Sequence, residues 1–159
     1  MNARAILWLP LAGALAAAGC ATAPEGPMDA DRAEPAATTV EEDGTVRHSV
    51  PNRAVALLWD RAERARKDGR IEDALGSLER ALRLSPDDPV LWSRVAELRL
   101  RQGEYAVAEN LAAKSNALAG EQRLLRYRNW LLIAEARERR GDPEGAEQAR
   151  AEAEQYGGP

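Results

Sequence analysis

The alternation of hydrophobic and polar positions divides the chain into three regimes. Ala5 to Ala18 form a mostly apolar run behind a short positive start at Arg4. Residues 21–51 contain Pro24, Pro27, Pro35 and Pro51 and lack Leu, Ile, Phe, Tyr and Trp altogether. From residue 53 onward, apolar side chains return every three or four residues, the spacing of one face of an α-helix. Leu58, Ala62 and Ala65 mark one such stripe, Ala74, Leu78 and Ala81 a second, and Ala146, Ala149 and Ala153 a narrow last one. Glycine and proline punctuate the stripes. The pattern predicts helix pairs at 53–68 with 71–84, 89–102 with 105–118, and 122–140 with 143–156.

The pairs repeat one another. Gly69-x4-Ala74, Gly103-x4-Ala108 and Gly141-x4-Ala146 are one signature occurring three times, at spacings of 103 − 69 = 34 and 141 − 103 = 38. Upstream of the second and third Gly, Trp92-x2-Val95-Ala96-x2-Arg99 matches Trp130-x2-Ile133-Ala134-x2-Arg137. Pro86 lies twelve residues after Ala74. These residues resemble the tetratricopeptide repeat, a 34-residue helix–turn–helix unit. The resemblance implies an all-α, right-handed α-solenoid of three helix pairs in a domain spanning 52–159, with repeats at about 53–86, 89–120 and 122–156. Gly would end each first helix in a left-handed conformation. Ala62, Ala96 and Ala134, facing Ala74, Ala108 and Ala146, would let paired helices approach closely. Pro86 would stop a helix and Pro89 begin the next without wasting an N–H. The four extra residues of the second spacing are expected to lengthen the helix carrying Trp130. The polar surface of the last helix (Glu144, Glu147, Gln148, Arg150, Glu152, Glu154, Gln155) suits a terminal repeat.

In this family the inner faces of the first helices line a concave groove that binds peptides or partner domains. Counting from Val55, Pro89 and Tyr127 as first positions, the inward candidates for partner binding are Trp59, Arg66, Lys67, Arg94, Leu100, Arg101, Arg128, Leu131 and Arg139, with Glu63, Ser93, Glu97, Leu132 and Glu135 among them. Trp92 and Trp130 fall where core is expected. Trp59 sits one position later than those two and is either a groove anchor or core. Residues 121–140 carry Arg123, Arg126, Arg128, Arg137, Arg139 and Arg140 against Glu121, Glu135 and Glu138, an excess that could meet an acidic partner.

The apolar run at the start has fourteen residues, fewer than the ~20 a permanent membrane span needs, but it suits the hydrophobic segment of an export signal. It ends Leu15-Ala16-Ala17-Ala18-Gly19-Cys20. This resembles the bacterial lipobox, which is cleaved before a Cys that becomes diacylated. The resemblance implies a signal peptide at 1–19 and lipidation at Cys20, and Ala21 in place of Asp favours the outer membrane over the inner. Between anchor and repeats, 20–51 is expected to be a disordered tether, too poor in apolar side chains to offset its ordering entropy, with His48 solvated on it.

Composition and charge narrow the function further. The 22 Lys+Arg and 26 Asp+Glu give −4 overall. Residues 20–51 alone hold 2 basic and 7 acidic side chains, 2 − 7 = −5, while 52–159 hold 19 of each. A neutral folded part offers no overall basic surface for nucleic acid. One Cys excludes a disulfide framework and multi-Cys metal sites, and the one His lies outside the repeats, so no Ser there has a base to activate it. No enzyme, no cofactor and no metal is expected. The whole layout of lipobox, tether and short repeat domain, with Lys114-Ser115-Asn116-Ala117-Leu118-Ala119-Gly120, resembles the LpoP-type lipoproteins that activate class A penicillin-binding proteins. The implied protein is a monomeric, lipid-anchored adaptor facing the periplasm from the outer membrane. A pilotin-like or outer-membrane assembly adaptor is the alternative.

Overall fold

The computed structural model describes residues 38–40, 46–48, 50 and 52–157. Six helices follow a two-stranded hairpin: β1 (Thr38–Val40), β2 (Val46–His48), α1 (Arg53–Lys67), α2 (Ile71–Leu84), α3 (Pro89–Arg101), α4 (Tyr105–Leu118), α5 (Arg123–Arg139) and α6 (Pro143–Glu154). α1 packs on α2, α3 on α4 and α5 on α6, and α4 and α5 join the second pair to the third. This is the all-α stack of three tetratricopeptide-type pairs that the 34-residue spacing predicts.

The punctuation works as its chemistry requires. Gly69, Gly103 and Gly141 hold φ of 76°, 80° and 81°, a region that costs a side-chain-bearing residue about 1 kcal/mol or more. After each, the chain turns back in the same way, with Arg70 N–H donating to the Ala65 carbonyl, Glu104 to Arg99, and Asp142 to Arg137. These bonds satisfy helix-end carbonyls that would otherwise lack donors. Pro89 and Pro143 open α3 and α6. Asp88 caps α3, its carboxylate accepting from Val90 N–H at 3.0 Å and Leu91 N–H at 3.4 Å.

The small residues are buried as expected: Ala62, Ala74, Ala96, Ala108, Ala134 and Ala146 are each at most 2% exposed. Leu75, Leu78, Leu91 and Leu98 fill the core of the first pair and its junction with the second, each stabilising by roughly 1.5–3 kcal/mol. The second core, around Ala112, Ile133 and Ala136, is thinner because α4 contributes mainly alanine. A buried polar chain bridges it to the first. Ser115 Oγ donates to the Pro89 carbonyl at 2.7 Å, and Asn129 Nδ2 donates to Ser115 Oγ at 2.7 Å and to Asn116 Oδ1 at 3.0 Å.

The four extra residues do lengthen a helix: α5 has 17 residues against 13 in α3. Its two halves keep different registers. Leu125 and Arg128 lie 34 residues after Leu91 and Arg94 (125 − 91, 128 − 94), whereas Ile133 and Ala134 lie 38 after Val95 and Ala96 (133 − 95, 134 − 96). Four residues advance a helix by about one turn plus 40°, so both halves still face the same neighbours.

Within the segment expected to be a tether, residues 38–40 and 46–48 form a short hairpin. Thr38, Thr39 and Val40 pair antiparallel with His48, Arg47 and Val46. β-branched residues on both sides of an Asp43-Gly44 turn signal supply the strand propensity that the scarcity of large apolar residues hides. Val46 is buried in the first core and Val50 packs against it. His48, expected in solvent, keeps only 2% of its side chain exposed. Its Nε2 lies 2.7 Å from Asp88 Oδ2, and its ring meets Trp59 edge-on at 5.2 Å. The expected signal peptide at 1–19, Cys20 and the tether up to residue 37 lie outside the described residues.

Candidate binding surfaces

The A-helix face, formed by α1, α3 and α5, carries the inward candidates. Its centre is an ion network that runs across three repeats. Arg94 Nε sits 2.8 Å from Glu63 Oε1, and Arg66 donates to Glu63 Oε2 at 3.0 Å from Nη2 and 3.2 Å from Nε. Glu97 Oε2 receives both Arg94 Nη1 and Arg128 Nη2, with Arg66 Nη1 4.0 Å from Oε1. Arg128 also donates to Ser93 Oγ at 2.6 Å. The pairing is itself periodic. Glu63–Arg94 and Glu97–Arg128 both join residues 31 apart (94 − 63 and 128 − 97) on successive first helices.

Burial decides how these charges behave. Desolvation works against the Glu97 carboxylate, but Arg94, Arg128 and Arg66 outweigh it and hold its pKa below the usual value. Burial, helped by repulsion from Arg94, pushes the Arg128 guanidinium below its ordinary value despite the pull of Glu97. Arg94 is 2% exposed, and its Nη2 has no hydrogen-bond partner among the described residues. Its guanidinium lies over the Trp59 indole at 5.4 Å.

The nine sequence candidates therefore separate. Trp59 (5% exposed), Arg94 and Leu100 (7%) are buried, so Trp59 takes the core alternative of its two readings, and Arg94 and Leu100, expected on the inward face, are not open groove wall. Trp59 is core because the hairpin's His48 and the arginine of the next repeat close over it. Leu100 packs into the second core. Arg66 and Arg128 are half-buried and engaged in the network. Lys67, Arg101, Leu131 and Arg139 remain exposed, with Arg139 paired to Glu135 at 3.6 Å. Counting from Tyr127 missed the equivalence of Arg128 with Arg94, since the register of early α5 is set from Arg123.

The arginine-rich stretch is also used within the chain. Arg137 and Arg140 both bind Glu109 at 2.8 Å, Arg126 meets Tyr156 Oη at 3.2 Å, and Arg123 donates to the Gln155 carbonyl at 3.2 Å. Arg137 and Arg140 share one carboxylate, and Arg123 and Arg126 are held by neutral oxygens, so part of the positive charge of that stretch is not neutralised within the chain.

A second surface lies on the other side. α2 and α4 make little direct contact, leaving a groove of about 620 Å³ between them, floored by Trp92 and Val95 of α3 and walled by Leu82, Val107 and Leu111. Trp92, expected in the core, is half-buried here. Its Nε1 donates to the Pro86 carbonyl at 2.7 Å, and Lys114 Nζ lies 3.9 Å from the ring centroid. An indole needs a partner for its N–H, and the α2–α3 turn supplies one at the surface. Trp130 is half-buried against the second core. Beside the groove, α1 and α2 expose Leu57 (60%) and Leu84 (51%) around a further depression of about 460 Å³, and Arg83 lines both.

Three helix pairs with glycine-terminated first helices and a groove between α2 and α4 define a helical repeat module. A tetratricopeptide repeat family model matches residues 65–127. The globular C-terminal domain of LpoP from P. aeruginosa is 37% identical over 64% of this chain and 96% of that domain, with a TM-score of 0.62. The chain belongs to the tetratricopeptide-repeat family that includes that LpoP domain. The first repeat domain of Spaghetti (RPAP3), bound to the HSP90 peptide SRMEEVD, shares the fold at 19% identity, covering 66% of this chain and 80% of that one (TM-score 0.60). So does the N-terminal domain of stress-induced protein-1 from C. elegans, at 16% identity with 67% and 88% covered (TM-score 0.60). No curated protein matches the chain. Among the described residues no helix is long and apolar enough to cross a membrane.

Proposed function

We propose that the protein is a lipid-anchored adaptor that faces the periplasm from the outer membrane and activates a class A penicillin-binding protein. The observation that carries this is the 37% identity with the LpoP domain over 96% of that domain's length. The Ala18-Gly19-Cys20 sequence supplies the anchor and Ala21 the outer-membrane address. The protein acts by binding and not by chemistry, and the repeat domain works as a monomer.

Two experiments test it. Palmitate labelling that is lost in Cys20→Ser and blocked by globomycin is the expected result for the anchor; an exported but unlabelled wild type would remove it. Affinity purification from detergent-solubilised envelopes should recover a bifunctional peptidoglycan synthase. Recovery of secretin or barrel-assembly components in its place would favour the assembly-adaptor role.

A further inference from the structure

We propose that the partner docks on the groove between α2 and α4, with an amphipathic helix that presents apolar anchors and acidic flanks, and not on the A-helix face. The proposal rests on the synthase-activating role, and it assigns the surface and the chemistry that role uses.

Three observations carry it. The first is where apolar surface is left open. Val107 is 43% exposed on the groove wall above the half-buried Trp92, and Leu84 and Leu57 extend the apolar strip past Arg83. A helix laid into such a groove buries side chains spaced three and four residues apart, and an indole on the groove floor is the side-chain type enriched where binding energy concentrates.

The second is charge. Glu79 and Glu104 line this groove, but Arg99 binds both, at 3.5 and 3.0 Å. Arg80 and Arg83 have no carboxylate partner among the described residues, and Lys114 sits on the Trp92 ring. Over the groove and the adjoining depression together, Arg80, Arg83, Arg99 and Lys114 stand against Glu79 and Glu104, four cations to two carboxylates, a surplus beside an apolar floor that selects acidic flanks on the incoming helix.

The third is the state of the competing face. There, Arg66, Arg94 and Arg128 are already engaged by Glu63 and Glu97, so most of their donors are directed at internal carboxylates. The inner aromatic candidate, Trp59, is closed off.

The test uses the full chain with a purified class A penicillin-binding protein as probe, measuring Kd at low and high salt. Val107→Glu and Arg83→Glu change the groove, while Lys67→Glu and Arg101→Glu change exposed cations of the A-helix face. All four positions are exposed, and circular dichroism confirms that each variant keeps its helicity. Val107→Glu should weaken binding about tenfold or more. Arg83→Glu should weaken it and flatten the salt dependence, whereas the two A-helix variants should stay within about twofold. Loss in the A-helix variants with the groove variants unaffected, or equal loss in all four, overturns the groove assignment while leaving the synthase role standing. No binding by the wild type removes the synthase role and the occupant assigned to the groove with it.

Discussion

Trp59→Ala should cost about 3–5 kcal/mol of stability, the usual range for emptying a buried aromatic site. Trp59 is 5% exposed and stands where three parts of the chain meet: α1, the hairpin through His48, and α3 through Arg94. Removing the indole takes away the surface on which the His48 ring packs and the face beneath a buried guanidinium, so the loss exceeds that of one side chain. Domains of this size change melting temperature by about 4–8 °C per kcal/mol, so a fall of roughly 12 °C or more is expected by thermal circular dichroism. His48→Ala, which keeps the indole and loses one hydrogen bond and one edge contact, should cost about 1–2 kcal/mol. A Trp59→Ala variant that melts with the wild type while losing partner binding would return Trp59 to the role of a groove anchor.

The helical framework was legible because repeat proteins write each structural requirement several times. Gly69, Gly103 and Gly141 mark the same left-handed turn, and Pro86, Pro89 and Pro143 mark helix boundaries, so agreement between copies reinforces each assignment. The hairpin was legible only locally. Thr38-Thr39-Val40 and Val46, on either side of Asp43-Gly44, carry a strand signal that disappears when the segment is judged by its average composition. His48 followed from that omission, since a lone histidine on a supposed tether gives no hint that Asp88, forty residues away, will receive it.

The candidate surface was only half legible, for a different reason. Position on one helix tells which way a side chain points, and Arg94, Arg128, Glu63 and Glu97 do all point to one face. Whether such charges await a ligand depends on the neighbouring helix. The answer lay in the 31-residue offset between each Glu and the next Arg, a relation between repeats that counting within each repeat does not reveal. Conversely Trp92, Val107 and Leu84 matched core or nondescript positions, because the gap between α2 and α4 exists only once the pairs are stacked.

Glu97→Gln tests whether the periodic network holds the repeats together. Glu97 is the single carboxylate that Arg94 and Arg128 share, and Arg66 approaches it as well. Neutralising it leaves two poorly solvated guanidiniums facing each other with Glu63 as the remaining counter-charge, and breaking a buried pair in this way costs about 3–5 kcal/mol. The pH dependence separates this charge effect from a packing defect. The folded-state pKa of Glu97 is lowered, its three arginines overcoming the desolvation that opposes them. Below its ordinary unfolded value of about 4.3, the unfolded chain takes up a proton before the folded one does, so stability that is fully present above that pH is lost as pH falls through the depressed folded value. Urea unfolding of wild type and Glu97→Gln should therefore differ most near neutrality and converge on acidification, whatever the other carboxylates contribute to both curves. A difference that stays constant down to pH values where carboxylates are protonated would mean that shape, and not charge, is what Glu97 supplies to the joint between α1, α3 and α5.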